Sequence, residues 1–184
     1  MVLLNAKDFG VPQNRQRVFV IGTRLTNIDI NEVVNKILEK RKSINPFVLK
    51  DALEGLPVLY PKTEKNKGGL ENDRIGFKYS KREVRVNSFL KSIGGVAEYI
   101  SNHTNRFNNE RDVEIFSRLP QGANSLHSSI SDIMPYASRN HMFKDKYFKL
   151  DDNQVSKTIT SHMKFDCNMY IHPSQPRGLS PREA

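Results

Sequence analysis

Cysteine occurs once in the 184 residues, at Cys167. An intrachain disulfide framework and a multi-thiolate zinc site both need several thiols, so neither is expected. Histidine gives no metal pattern either. His103, His127, His141, His162 and His172 form no i, i+4 pair and no His-x-Glu, which points to scattered core or surface roles and to no metal. Cys167 stands between Asp166 and Asn168, and a neighbouring carboxylate disfavours the thiolate, so it is a poor nucleophile. There is no Gly-x-Gly-x-x-Gly and no phosphate loop; the doublets Gly68-Gly69 and Gly94-Gly95 fall in a polar loop and within a helical pattern. Apolar runs are short as well. None approaches a membrane span, and the N-terminus lacks the apolar stretch of a signal peptide, so no membrane partner and a cytoplasmic location are expected.

What remains is polar and basic. Hydrophobic residues make up 37% and charged residues 27%, a profile compatible with a modest core and long surface loops. The length fits one domain, or one and a fraction. Lys plus Arg number 29 against 20 Asp plus Glu, a balance of +9 that favours a polyanionic partner, nucleic acid or an acidic membrane surface.

Periodicity gives a coarse map. Leu3 to Ala6 and Val18 to Ile21 read as short strands joined by an ordered loop with Gly10 and Pro12. Asp29 to Lys42 reads as a helix: Asp29 caps it, Ile30, Val33, Val34, Ile37 and Leu38 share one face, and Lys40, Arg41 and Lys42 suit its C-terminal end. Phe47 to Leu56 is a second short helix, stopped by Gly55 and Pro57. From Tyr60 to Arg82 the pattern dissolves into a loop. Phe89, Leu90, Ile93, Ala97 and Ile100 have helical spacing, with Gly94-Gly95 inside it. Asn108 to Leu119 is a clearer helix ending at Pro120. Residues 157–160 and 168–171 read as strands, and no internal repeat is present.

One stretch, VPQNRQRVFVIG over residues 11–22, poses a sharper question. In an extended backbone Gln13, Arg15 and Arg17 project to one side, directly before a run that reads as a fully buried strand. The plain explanation is a solvated strand entrance. The other is a pair of planar cations placed to grip phosphate or a base edge.

The two ends of the chain decide between them. Residues 4–22, LNAKDFGVPQNRQRVFVIG, resemble the Gln-x-Arg-x-Arg region of DNA (cytosine-5)-methyltransferases. Residues 156–184, SKTITSHMKFDCNMYIHPSQPRGLSPREA, resemble the stretch of that family which closes the target-recognition region and begins the Arg-Glu-Ala motif. The middle is similar only loosely, at Asp51 to Pro57 and Leu119 to Gly122. The resemblance implies an α+β chain: an irregular target-recognition domain with small antiparallel sheets over 25–184, preceded by the last strands of a Rossmann-like catalytic domain over 1–24. It also implies double-stranded DNA as partner and S-adenosylmethionine as cofactor of the complete enzyme, in a bacterial or phage restriction-modification setting.

The family's reaction begins with a cysteine in Pro-Cys-Gln, which attacks carbon 6 of a flipped cytosine while a glutamate in Glu-Asn-Val meets ring nitrogen 3. Neither motif is here; Glu71-Asn72 is followed by Asp73 and lies on the wrong side of Gln13. The glycine-rich cofactor motif is missing too. This chain by itself is therefore expected to be inactive and to bind no cofactor. It is expected to be the back half of an enzyme, either a split subunit with a complementary N-terminal catalytic partner or a truncated gene. The stop inside the Arg-Glu-Ala motif favours truncation. A non-catalytic, sequence-specific DNA-binding or regulatory module is the alternative.

Roles transfer by resemblance. Arg17 contacts the flipped cytosine, with Gln13 and Arg15 supporting the pocket and nearby phosphate. Thr158, Thr160 and His162 occupy a recognition loop, Thr158 on a phosphate and the other two nearer the groove. Met142 to Lys146 form the preceding loop, with Lys146 toward DNA. Arg182 and Glu183 organise the recognition domain through an ion pair or a cap, without touching bases.

Overall fold

The computed structural model describes residues 1–41, 44, 46–63, 77–78, 86–95, 99–135, 138, 142, 144, 146–160 and 167–184. His162 and the rest of 161–166 lie outside this set. Among the described residues the chain mixes short helices with three two-stranded sheets. Strands β1 (Val2–Asn5) and β3 (Gln16–Phe19) pair antiparallel, Leu4 facing Arg17. Between them run a 3-10 turn (Ala6–Phe9) and β2 (Gln13–Asn14), which leaves the hairpin and pairs in parallel with β6 (Ser156–Lys157). Strands β4 (Phe77–Lys78) and β5 (Tyr99–Ile100) pair antiparallel. The small sheets are thus not all antiparallel, as had been expected.

Helix α1 (Ile30–Arg41) matches its sequence pattern, with the Asp29 carboxylate accepting from the Asn31 amide. Its apolar face is only half-buried. Helix α2 (Leu49–Leu53) is shorter than the pattern suggests; the Asp51 carboxylate turns back to the Val48 amide at 2.8 Å. The expected helix through Ile100 does not form. Helix α3 (Ser88–Ser92) ends where Gly94 and Gly95 take left-handed φ values of +92° and +89°, and the chain re-emerges as β5. Two successive left-handed residues cannot continue a right-handed helix. Helix α4 (Glu110–Arg118) is capped by Asn109, whose side chain accepts from the Asp112 amide at 2.8 Å.

The strands read at the far end also differ. Pairing stops after Lys157, and residues 167–169 form a 3-10 turn, leaving Ile171 with isolated bridges to Lys149 and Gly178. The largest correction concerns Val18 to Ile21. The strand starts two residues earlier than its apolar run, and it is uncovered: Leu3, Val18 and Val20 are 60%, 58% and 82% exposed. Apolar composition marks a strand suited to burial, but burial needs a neighbour, and the face of Leu3 and Val18 stays open to solvent.

The interior lies elsewhere. One cluster joins Ile115, Phe116 and Leu119 of α4 to Ile130, Met134, Tyr147 and Ile171; a second joins Leu49, Leu150, Tyr170 and Leu179. Tyr170 and Ile171 are adjacent, so one segment serves both. Two buried polar groups of this interior, Tyr147 and Lys149, have partners, as burial requires. Tyr147 donates to Asp112 at 2.7 Å, and burial followed by that carboxylate raises the phenol's pKa. Lys149 donates to the Phe116 carbonyl at 2.9 Å, its pKa lowered by burial.

The C-terminal segment is fixed by a buried ion pair. Arg177, with no exposed surface, donates from Nη1 and Nη2 to the two carboxylate oxygens of Glu183, both at 2.7 Å. Its Nε donates to Gln175 and to the Leu59 carbonyl. Glu183 also closes a capping box, accepting from the Ser180 amide while the Ser180 hydroxyl accepts from the Glu183 amide. Burial alone would raise the Glu183 pKa, but the Arg177 hydrogen bonds and charge outweigh it and hold the carboxyl below its usual range. His103 ties this corner to the rest: its Nε2 meets the Pro57 carbonyl at 2.7 Å and its Nδ1 the Ser180 hydroxyl at 3.0 Å. The Nε2 contact with a carbonyl requires a proton there.

His172 stands beside this pair. Its Nδ1 accepts from the Ser174 and Gln175 amides, a geometry open only to an unprotonated nitrogen. Burial, partly offset by Glu183 and reinforced by Arg177, lowers its pKa from 6.5 to about 4. An unfolded chain takes up this proton near pH 6.5 and the folded chain only near 4, so stability is complete above that window and falls as pH drops through it. The loss attributable to His172 should reach roughly 3 kcal/mol at most. Melting temperatures measured across pH 7 to 4 should decline, and His172→Asn should flatten the decline. An unchanged slope in the variant would contradict the burial account.

Candidate functional site

Gln13, Arg15 and the Thr158–Thr160 segment meet, although they stand at opposite ends of the chain. The contact starts with backbone. Pairing of β2 with β6 sets Gln13 beside Ser156 and Asn14 beside Lys157, and the Ser156 amide donates to the Pro12 carbonyl at 2.9 Å. Side chains extend the junction past the last paired residue. Arg15 Nη1 donates to the Ile159 carbonyl at 2.9 Å, and the Thr158 hydroxyl donates to the Asn14 carbonyl at 2.6 Å. Arg15 Nη1 also lies 3.5 Å from the Gln13 amide oxygen.

Asn5 shapes the entrance to this junction. Its buried side-chain oxygen accepts from the Arg15 amide at 3.0 Å and from the Lys7 amide, while its nitrogen donates to the Asn14 side chain at 2.7 Å. The 3-10 turn ends at Gly10, whose φ of +81° lets its amide return to the Ala6 carbonyl. These bonds bend the chain so that β2 can leave the hairpin and reach β6.

Arg17 has a different setting. It sits in β3, exposed, with Nη1 on the neighbouring Gln16 carbonyl at 2.6 Å. With Arg15, Leu4, Asn5, Ala6, Phe9 and Phe19 it lines an open concavity of about 340 Å³. The walls are mostly apolar, and the two guanidinium groups supply the charge. A planar aromatic ring with polar edges suits such a surface, because guanidinium groups can meet both a ring edge and a phosphate.

Other expected residues are dispersed. Lys146 is exposed, immediately before the buried Tyr147, and Met142 is exposed as well. His162 lies outside the described residues. Glu183 makes both an ion pair and a cap, but the paired cation is Arg177. Arg182 is exposed, and its amide donates to the Asn102 carbonyl. Sequence reasoning missed Arg177, Tyr170 and Asn5. The Ser180-x-x-Glu183 spacing is a readable capping signal, whereas nothing local marks Arg177 as the buried partner.

Among the described residues no glycine cradle for a cofactor such as S-adenosylmethionine is seen. The glycines with left-handed φ are Gly10, Gly94, Gly95 and Gly122. Gly10 follows a 3-10 turn and the others follow helices, so none opens a strand-to-helix turn that could cradle such a cofactor. Among the described residues no group of three or more His, Cys, Asp or Glu side chains could hold a metal ion. No described helix is long and apolar enough to cross a membrane.

Several known proteins are similar to this chain. A type II methyltransferase of Bacillus paralicheniformis is 27% identical over 189 residues, covering 99% of this chain and 41% of its own length. One of Desulfomicrobium norvegicum is 26% identical, covering 100% and 42%. A type II methyltransferase of Methanothermobacter thermautotrophicus is 45% identical over 71 residues, or 38% of this chain and 19% of its own. The chain thus spans less than half the length of these relatives. In fold it is similar to the crystal structure of a prophage-encoded DNA modification methyltransferase of E. coli, with a TM-score of 0.54 and 23% identity over 99% of this chain and 47% of that one. The C-5 cytosine-specific DNA methylase family matches residues 1–184, and the chain belongs to that family.

Proposed function

We propose that this chain supplies target recognition and one wall of the flipped-cytosine pocket to a DNA (cytosine-5)-methyltransferase. The observation that carries the reading is the junction of Gln13 and Arg15 with Thr158 to Thr160, built from a parallel backbone pair and two side-chain bonds. The segments matching the family's pocket motif and its recognition loop form one continuous surface. On this reading Arg17, whose guanidinium reaches no acid among the described residues, faces the extruded base from the concavity and stabilises charge as the ring is attacked. Arg15 spends one nitrogen on the Ile159 carbonyl and keeps Nε and Nη2 for phosphate. Thr158 must turn its hydroxyl from the Asn14 carbonyl to donate to a phosphate, because phosphate oxygens only accept. Thr160 and Lys146 lie toward the groove on this reading, His162 is assigned there by the resemblance alone, and residues 25–184 form the recognition domain.

The uncovered hairpin supports a further part of the reading. Leu3, Val18 and Val20 leave an exposed apolar face on a two-stranded sheet, and such a sheet is marginal alone. Its proposed occupant is the catalytic half of the enzyme, carrying the Pro-Cys-Gln, Glu-Asn-Val and cofactor motifs that this sequence lacks. Without that half the chain neither transfers methyl groups nor binds S-adenosylmethionine.

Two outcomes are expected. The chain alone should bind duplex DNA weakly and with little sequence preference, because the positive balance acts mainly on phosphate. Contact with about four phosphates should cost roughly a hundredfold in affinity between about 50 and 200 mM salt. A salt-independent affinity in fluorescence anisotropy would count against it. The second concerns the chain joined to a catalytic half of this family, by mixing or fusion. Cytosine methylation should appear only in the combination, and Arg17→Ala should slow single-turnover methyl transfer by about a hundredfold with most duplex affinity kept. Methylation by the chain alone, or an Arg17→Ala enzyme altered in sequence preference but not in rate, would refute the assignment.

A further inference from the structure

We infer that Tyr170 is a positioning residue that locks the Thr158–Thr160 segment in the conformation it presents to DNA, an inference that rests on the recognition role proposed above. The strand ladder ends at Lys157, so the backbone groups of the next three residues need other partners. Tyr170 provides two of them. Its hydroxyl accepts from the Thr160 amide at 3.2 Å, donates to the Thr158 carbonyl at 3.3 Å, and lies 3.2 Å from the Thr160 hydroxyl. One proton and two lone pairs satisfy this arrangement when the Thr160 hydroxyl donates. The Ile159 carbonyl between them goes to Arg15 instead. Consecutive residues are thus held from opposite directions, by a phenol from the interior and a guanidinium from the pocket motif.

The phenol itself is rigidly placed. Tyr170 is 2% exposed and packs with Leu49, Leu150 and Leu179, while its carbonyl accepts from the Leu179 amide at 3.0 Å. Lys157 Nζ lies 5.1 Å from its ring centroid and 4.6 Å from that of Phe148, which brings the end of β6 onto the same aromatic pair. The ring belongs to the core and only the hydroxyl reaches the segment. Packing and positioning can therefore be separated by removing one oxygen. The lock fixes the segment before DNA arrives, which spares the ordering cost that a free loop incurs on binding.

Tyr170→Phe in the full chain tests this. Amide hydrogen exchange, read residue by residue without DNA, should show Thr160 protected in the unsubstituted chain. In the variant that amide should exchange about fivefold to tenfold faster, as loss of an ordinary hydrogen bond implies, with Ile115 to Leu119 unchanged. Affinity for a short duplex at low salt should fall by about the same factor. Equal protection of Thr160 in both proteins overturns the lock. Faster exchange with unchanged duplex affinity overturns the positioning role toward DNA. If the variant does not fold, the unsubstituted chain decides: a protected Thr160 amide supports the lock and an unprotected one overturns it. Failure of the unsubstituted chain to bind any duplex contradicts the recognition reading itself, and the exchange result still decides the lock.

Discussion

The parallel pairing of Gln13 and Asn14 with Ser156 and Lys157 joins the two ends of this chain, and the geometry of the candidate site follows from it. Four residues make a short ladder, too little to hold two segments across so long a loop by itself. The ladder is reinforced by groups that no strand pattern contains. Asn5 shapes the turn, Thr158 and Arg15 reach across to opposite carbonyls, and Tyr170 holds the far side. Cross-links of this kind use backbone groups that the end of pairing leaves without partners.

The far side depends in turn on the buried Arg177–Glu183 pair. Removing two charges from water is costly, and the pair persists because every oxygen and nearly every guanidinium nitrogen has a well-placed partner. It sets the course of the chain from Tyr170 to Ser180, where the Leu179 amide returns to the Tyr170 carbonyl. His172 completes the corner as a neutral ring, and His103 bonds the Pro57 carbonyl and the Ser180 hydroxyl. A network with so many interdependent members fixes one conformation, which is what the proposed DNA-reading surface needs from its support.

Helix content was legible where a pattern was long and capped. Residues 30–41 and 110–118 lie within the ranges that their apolar spacing and Asp29 or Asn109 imply. Short apolar runs were read less well. Residues 18–21 carried the composition of an interior strand, yet composition reports what a strand can bury and not whether a neighbour is present. Residues 89–100 kept helical spacing across Gly94-Gly95, and the left-handed backbone there prevailed over the pattern. At the site, Gln13, Arg15 and Thr158 stood out because family motifs mark them. Tyr170 and Arg177 act through tertiary partners, at Thr160 and Glu183, which no local signal announces.

Hydrogen-exchange footprinting of the whole chain with and without a duplex tests the central claim most directly, since it asks which surface DNA covers without requiring catalysis. The account predicts that residues 13–17 and 156–160 gain protection together, as parts of one surface. The contrary result is protection confined to the basic, exposed face of Lys36, Lys40 and Arg41 on α1, with the junction unchanged. DNA would then be held by charge alone, and the junction would be structural.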